Sequence, residues 1–153
     1  MPRTLATLLT LACGVALTAR AEAPRTGTLA CEAARAAGIQ GKDARNAGRI
    51  ELPAAEQRFS AEIRRLAANR PGCPSSKSGA TGHRATLEGW WQCGAALEVA
   101  LSKYPQPLRS DDGYIFHDRL SGWFHLAVDG RYTLAYTDFA GNYFVEEGRC
   151  APD

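Results

Sequence analysis

The spacing of apolar residues divides the chain into a first part that repeats every three to four positions and a last part that repeats every two. In residues 53–69, Ala55, Phe59, Ile63 and Leu66 fall at i, i+4, i+8 and i+11, one face of a helix. Pro53 suits a first helical turn, and Arg70-Pro71-Gly72 ends the segment. Residues 86–104 repeat the theme, with Leu87, Trp90, Gly94, Leu97, Leu101 and Tyr104 spaced by three and four. Gly94 on that face predicts a close approach by another element. A shorter helix is expected over 29–37, ended by Gly38, while 41–48 and the Ser/Gly-rich 73–82 read as loops.

From Ser110 onward the period becomes two, and residues 114–117, 123–127, 131–137 and 143–147 read as four short strands. A two-residue Asp129-Gly130 turn would mix Phe124 and Leu126 with Thr133 and Ala135 on one face. A three-residue loop, Val128-Asp129-Gly130, instead gathers Phe124, Leu126, Tyr132, Leu134 and Tyr136 on one side, with Gly130 at the position that needs positive φ. That register leaves Trp123, His125, Arg131, Thr133 and Thr137 on the outer side. Together these patterns predict an α+β fold, N-terminal helices (about 29–104) packed on a C-terminal antiparallel meander of three to four strands (about 113–148).

Composition narrows the class. The 153 residues are 45% hydrophobic and 22% charged, values of one soluble globular domain rather than of a disordered or fibrous chain. Residues 1–21 read as a signal peptide: Arg3 opens it, an apolar stretch runs from Leu5 to Leu17, and Ala19-Arg20-Ala21 supplies the small residues for cleavage after Ala21. Lipidation of Cys13 fits less well, because Thr10-Leu11-Ala12 is a poor match to a lipoprotein signal. No later stretch approaches the ~18 residues of a membrane span. A periplasmic or secreted domain over 22–153 follows. Without the leader, acids and bases balance, but unevenly: 22–110 carries 13 bases and 8 acids, 111–153 carries 3 bases and 8 acids. The acidic C-terminal part disfavours nucleic acid there.

Cys31, Cys73, Cys93 and Cys150 imply two disulfides in an oxidising compartment. Three pairings exist; Cys73–Cys93, tying one helix end to the next helix, and Cys31–Cys150, tying the two chain ends, are expected. The cysteines lack the paired spacing of a zinc site.

The chemistry-bearing residues are few. His117, beside Asp118 and Arg119, and His125 could act as acid and base in phosphodiester cleavage if a tight 118–122 turn brought them together. A metal site on His117, His125 and Asp118 lacks a third or fourth partner, and no cofactor fingerprint occurs. The stretch Tyr104-Pro105 followed by Asp112-Gly113-Tyr114-Ile115-Phe116-His117-Asp118-Arg119 resembles the small secreted guanyl-specific ribonucleases, which have a Pro-containing loop and a D-G-x-x-F-x-N-R-E stretch. The resemblance implies a helix followed by an antiparallel meander. Asp118 and Leu120 replace the family's Asn and Glu, its catalytic Glu would fall near Leu126 or His125, and its late His has no counterpart.

The chain therefore reads as a binding module rather than an enzyme, of the inhibitor or immunity type, using the exposed meander face. Trp123, His125 and Arg131 give contact area and a directional donor, with Asp118 and Asp129 beside them. Those acids, with Asp111 and Asp112, predict a basic protein partner in the cell envelope.

Overall fold

The computed structural model describes residues 25–39, 47–73, 86–137 and 141–153. The chain is a closed antiparallel β-barrel. Its strands are β1 (Gly27–Ile39), β2 (Ala47–Ile50), β3 (Arg58–Arg65), β4 (Leu97–Leu101), β5 (Leu108–Ser110), β6 (Ile115–His117), β7 (Trp123–Leu126), β8 (Arg131–Thr137) and β9 (Tyr143–Pro152). From β3 each strand pairs with the next as far as β9, and β9 returns to β1, which also pairs with β3. Eight strands thus close the wall. β2 adds to the C-terminal half of β1, pairing Ala36 to Ile39 with Ile50 to Ala47.

The expected α+β architecture is overturned, and the reason lies in degenerate spacing. Within 53–69 only α1 (Ala54–Gln57) is helical. Beyond it Phe59, Ala61 and Ile63 point inward and alternate with exposed Ser60, Glu62 and Arg64. Within 86–104 a helix exists only at the start: α2 (Leu87–Gly89), continued by a π-turn (Trp90–Gly94), with the Thr86 hydroxyl accepting from the Gly89 N–H. Leu97, Val99 and Leu101 then face the core from β4. Gly94 makes room for the indole of Trp90 in its own turn rather than for another element. Residues 29–37 lie in β1, and 47–48, assigned to a loop, belong to β2. The helix-then-meander arrangement implied by the ribonuclease resemblance falls with these helices. Residues 1–24, with the expected leader and Cys13, most of 41–48, and 74–85 with His83 lie outside the described residues.

The four C-terminal strands start within a residue of where the period of two places them, but the last runs on to Pro152, past the expected end at 147. In the β7–β8 hairpin Phe124 pairs with Leu134 and Leu126 with Tyr132, around the loop Val128-Asp129-Gly130 with Gly130 at φ +83°. The Gly130 N–H closes the loop on the Ala127 carbonyl.

The core fills the barrel. Phe116, Phe124, Ile63, Leu97, Leu108 and Leu134 are almost wholly excluded from solvent. One end carries polar groups: the Tyr132 hydroxyl donates to Glu146 (2.8 Å), Lys103 Nζ pairs with the same carboxylate, and the ammonium lies 4.4 Å from the Phe59 ring centroid. Glu146 is thus buried with both oxygens engaged, the condition under which a buried charge is tolerated. Both expected disulfides are present. Cys31–Cys150 joins directly opposed residues of β1 and β9, and Cys73–Cys93 ties the loop after β3 to the π-turn.

A second buried carboxylate faces outward. Glu98 on β4 receives Arg64 from β3 and Arg109 from β5, whose guanidinium stacks on Trp91 at 4.6 Å. Burial alone would raise the Glu98 carboxyl, but hydrogen bonds and charge from the two arginines outweigh it and hold the group below its ordinary value. This cluster clasps the Trp90–Gly94 turn to the barrel wall.

Candidate binding face

The barrel wall sorts the sequence-predicted residues into three places. Asp118 is buried. Its carboxylate accepts the backbone N–H groups of Leu120 (2.7 Å) and Gly122 (2.9 Å) and is bonded by the Tyr104 hydroxyl. It builds the 118–122 turn, and burial together with the Asp118 hydrogen bond and charge raises the Tyr104 phenol above its ordinary value. His117 lies under the helical turn: its ring stacks on Trp90 with centroids 4.6 Å apart and planes 11° apart, and its Nδ1 lies 3.1 Å from the Asp118 carbonyl. Trp123, His125, Arg131 and Asp129 remain on the outer surface around β7 and β8.

The two histidines stand on the same outer face of the adjacent strands β6 and β7. His117 is opposite Trp123, and His125 is opposite Ile115, so they are diagonal neighbours on the outer wall. Each ring has a different aromatic neighbour, Trp90 for His117 and Trp123 for His125 (centroids 6.1 Å apart). Among the described residues, no three His, Cys, Asp or Glu side chains converge as metal ligands.

The register extends the surface beyond what the sequence pattern marked out. One outer row runs Trp123, Ala135, Val145 and Ala37 across β7, β8, β9 and β1. The next runs His125, Thr133, Glu147 and Arg35, and a third brings Arg131 opposite Arg149. The face is therefore apolar along one row and charged along the others. Trp123 is 36% exposed, Val145 45% and Tyr143 58%.

β1 shapes this face into a trough. Its register slips between Ala33 and Arg35, so Ala34 is an extra residue, a β-bulge in the strand. A depression of about 600 Å³ lies there, lined by Ala34, Arg35, His125, Arg131, Glu147 and Arg149 among others. A second of about 480 Å³ shares Ala34, Arg35 and Glu147 and continues to Ala37 and Val145. Three of the residues that line this second depression are alanines, Ala34, Ala36 and Ala37.

The charges around the trough are mostly spoken for. Arg35 pairs with Glu147, Arg58 with Glu32, and Arg131 with Asp129. The Arg131 backbone N–H, then its guanidinium, hold the Asp129 carboxyl below its usual range. The four acids expected to mark a basic partner are dispersed: Asp118 is buried, Asp112 accepts the Tyr114 and Ile115 N–H groups, Asp111 accepts the Trp90 indole N–H, and Asp129 pairs with Arg131.

Arg35 and Arg149 line the depression beside the residues that the sequence pattern marks out. Arg149 continues the alternation Tyr143-Val145-Glu147 by one step, a signal present in the sequence. Arg35 was hidden inside an alanine-rich stretch read as helix. No protein-family model, curated protein or solved structure matches this chain.

Proposed function

We propose that this chain is an exported binding protein of the inhibitor or immunity type, which engages a cell-envelope enzyme through the outer face of β7, β8, β9 and β1. The observation that carries the reading is the trough at the β1 bulge, where charged and apolar rows of a rigid wall meet. Sites on strands held by closure and a disulfide are more exactly positioned than sites on loops. Two disulfides favour an oxidising compartment, and no helix among the described residues is long and apolar enough to cross a membrane. The chain's own chemistry is recognition: Trp123 supplies amphipathic area, His125 and Arg131 supply directional donors, and Asp129 orients Arg131.

The test is cell-wall lysis by basic muramidases and amidases, followed by turbidity, with purified chain added up to stoichiometric excess. Dose-dependent loss of lysis is expected, and Trp123→Asp should weaken it at least about tenfold, the scale of a lost aromatic anchor. Leu87→Asp, on the exposed part of α2, should leave it unchanged. Lysis unaffected by the chain for every enzyme tried would overturn the inhibitor reading.

A further inference from the structure

The outer face carries an electrostatic conflict in its own register. Arg131 and Arg149 are directly opposed partners on β8 and β9, and both are exposed. Like charges directly opposite one another destabilise a sheet. The neighbouring carboxylates do not resolve the conflict. Asp129 is taken by Arg131 (2.7 Å), Glu147 by Arg35, and Glu32, which faces Arg149 from β1, by Arg58 (3.2 Å). Among the described residues Arg149 makes no side-chain hydrogen bond or ion pair and is felt only through its longer-range field on Asp129.

The same trough changes character along its length. The Arg131–Arg149 end is bordered by His125, and the far end by Ala37 and Val145. An occupant that matches both ends presents a carboxylate at one and an apolar side chain at the other. We propose that the trough takes an extended acidic segment of a protein partner, with a carboxylate seated between Arg131 and Arg149 and an apolar side chain on Ala37 and Val145. The inference rests on the reading of this face as the binding surface and adds the chemistry of what lies on it. Guanidinium groups suit carboxylates through paired N–H donors, and the short side chains of Ala34, Ala36 and Ala37 leave room beside them for a main chain. A free anion would use the charged end alone.

The test titrates four probes into the full chain by calorimetry: a capped peptide of alternating Glu and Leu, its Lys-Leu counterpart, inorganic polyphosphate, and phosphatidylglycerol vesicles. The Glu-Leu peptide should bind saturably and more weakly as salt rises. Arg149→Glu should weaken it at least about tenfold, Arg149→Lys much less, and Val145→Asp should also weaken it. Circular dichroism and melting of each variant check the fold. Equal binding of the Lys-Leu peptide, or indifference to Arg149→Glu in a folded variant, would overturn the proposal. So would tighter Arg149-dependent binding of polyphosphate or vesicles, which would assign the site to another class of anion. If Trp123→Asp relieves enzyme inhibition while the acidic peptide ignores Arg149, the acidic occupant fails and the face reading stands. If peptide binding follows Arg149 but no enzyme is inhibited, the inhibitor reading fails alone.

Discussion

Gly148 sits where β1, β8 and β9 crowd together. A Cβ there would overlap the Glu32 carbonyl oxygen and stand 2.7 Å from the Tyr132 ring and 2.9 Å from the Ala33 Cα. Two of these neighbours are backbone atoms of the bulged strand, which cannot rotate away as a side-chain tip can. Gly148→Ala should therefore destabilise the barrel by about 2 kcal/mol or more, read as a lowered denaturant midpoint with unchanged slope. A neutral outcome would mean that the bulge yields. Gly130 was legible beforehand because its turn chemistry is local. Gly148 was not, because the requirement comes from Glu32, more than a hundred residues away along the chain.

Among the elements, β4 shows both what the sequence discloses and what it conceals. Leu97 and Leu101 are four apart, a spacing that satisfies a helix and a strand alike, and Val99 between them decides the matter only once a sheet exists to receive it. Phe59 and Ile63 in β3 pose the same ambiguity, resolved by the small Ala61. In β1, alanines favour a helix intrinsically, yet pairing with β3 and β9 overrides that preference. The C-terminal strands were readable because Phe124, Leu126, Tyr132 and Leu134 alternate strictly with polar residues. The trough was half readable, its β7–β8 side from alternation and its β1 side not at all. β4 also holds Glu98, whose carboxyl the flanking arginines keep below its ordinary 4.5. A group depressed in the folded state contributes stability that is present above its unfolded value and lost as pH falls below it. Stability should thus decline from about pH 4.5 downward. Glu98→Gln should be less stable at neutral pH and show a shallower acid decline, measured by denaturant midpoints across pH. An unchanged acid slope would remove Glu98 from that linkage.

At the scale of the whole molecule, the seam between β1 and β9 closes the wall, and Cys31–Cys150 locks it across a sequence separation of 119. In the chain-entropy model a loop of that length stabilises by about 5 kcal/mol, against about 3 kcal/mol for the 20-residue separation of Cys73–Cys93. Replacing Cys31 and Cys150 together by alanine should lower thermal stability more than replacing Cys73 and Cys93. The reverse order in calorimetry would show that the clasp of the Trp90–Gly94 turn outweighs the seam. The seam also sets a clock. Its partners stand at opposite ends of the described chain, so a nascent polypeptide shorter than β9 keeps two ragged borders, on β1 and β8, open to pairing with any passing strand. Closure of the wall needs the last strand, and Cys31 meets its partner thiol only when Cys150 is in place. Those two borders stay unpaired until Tyr143–Pro152 arrives to cover both at once.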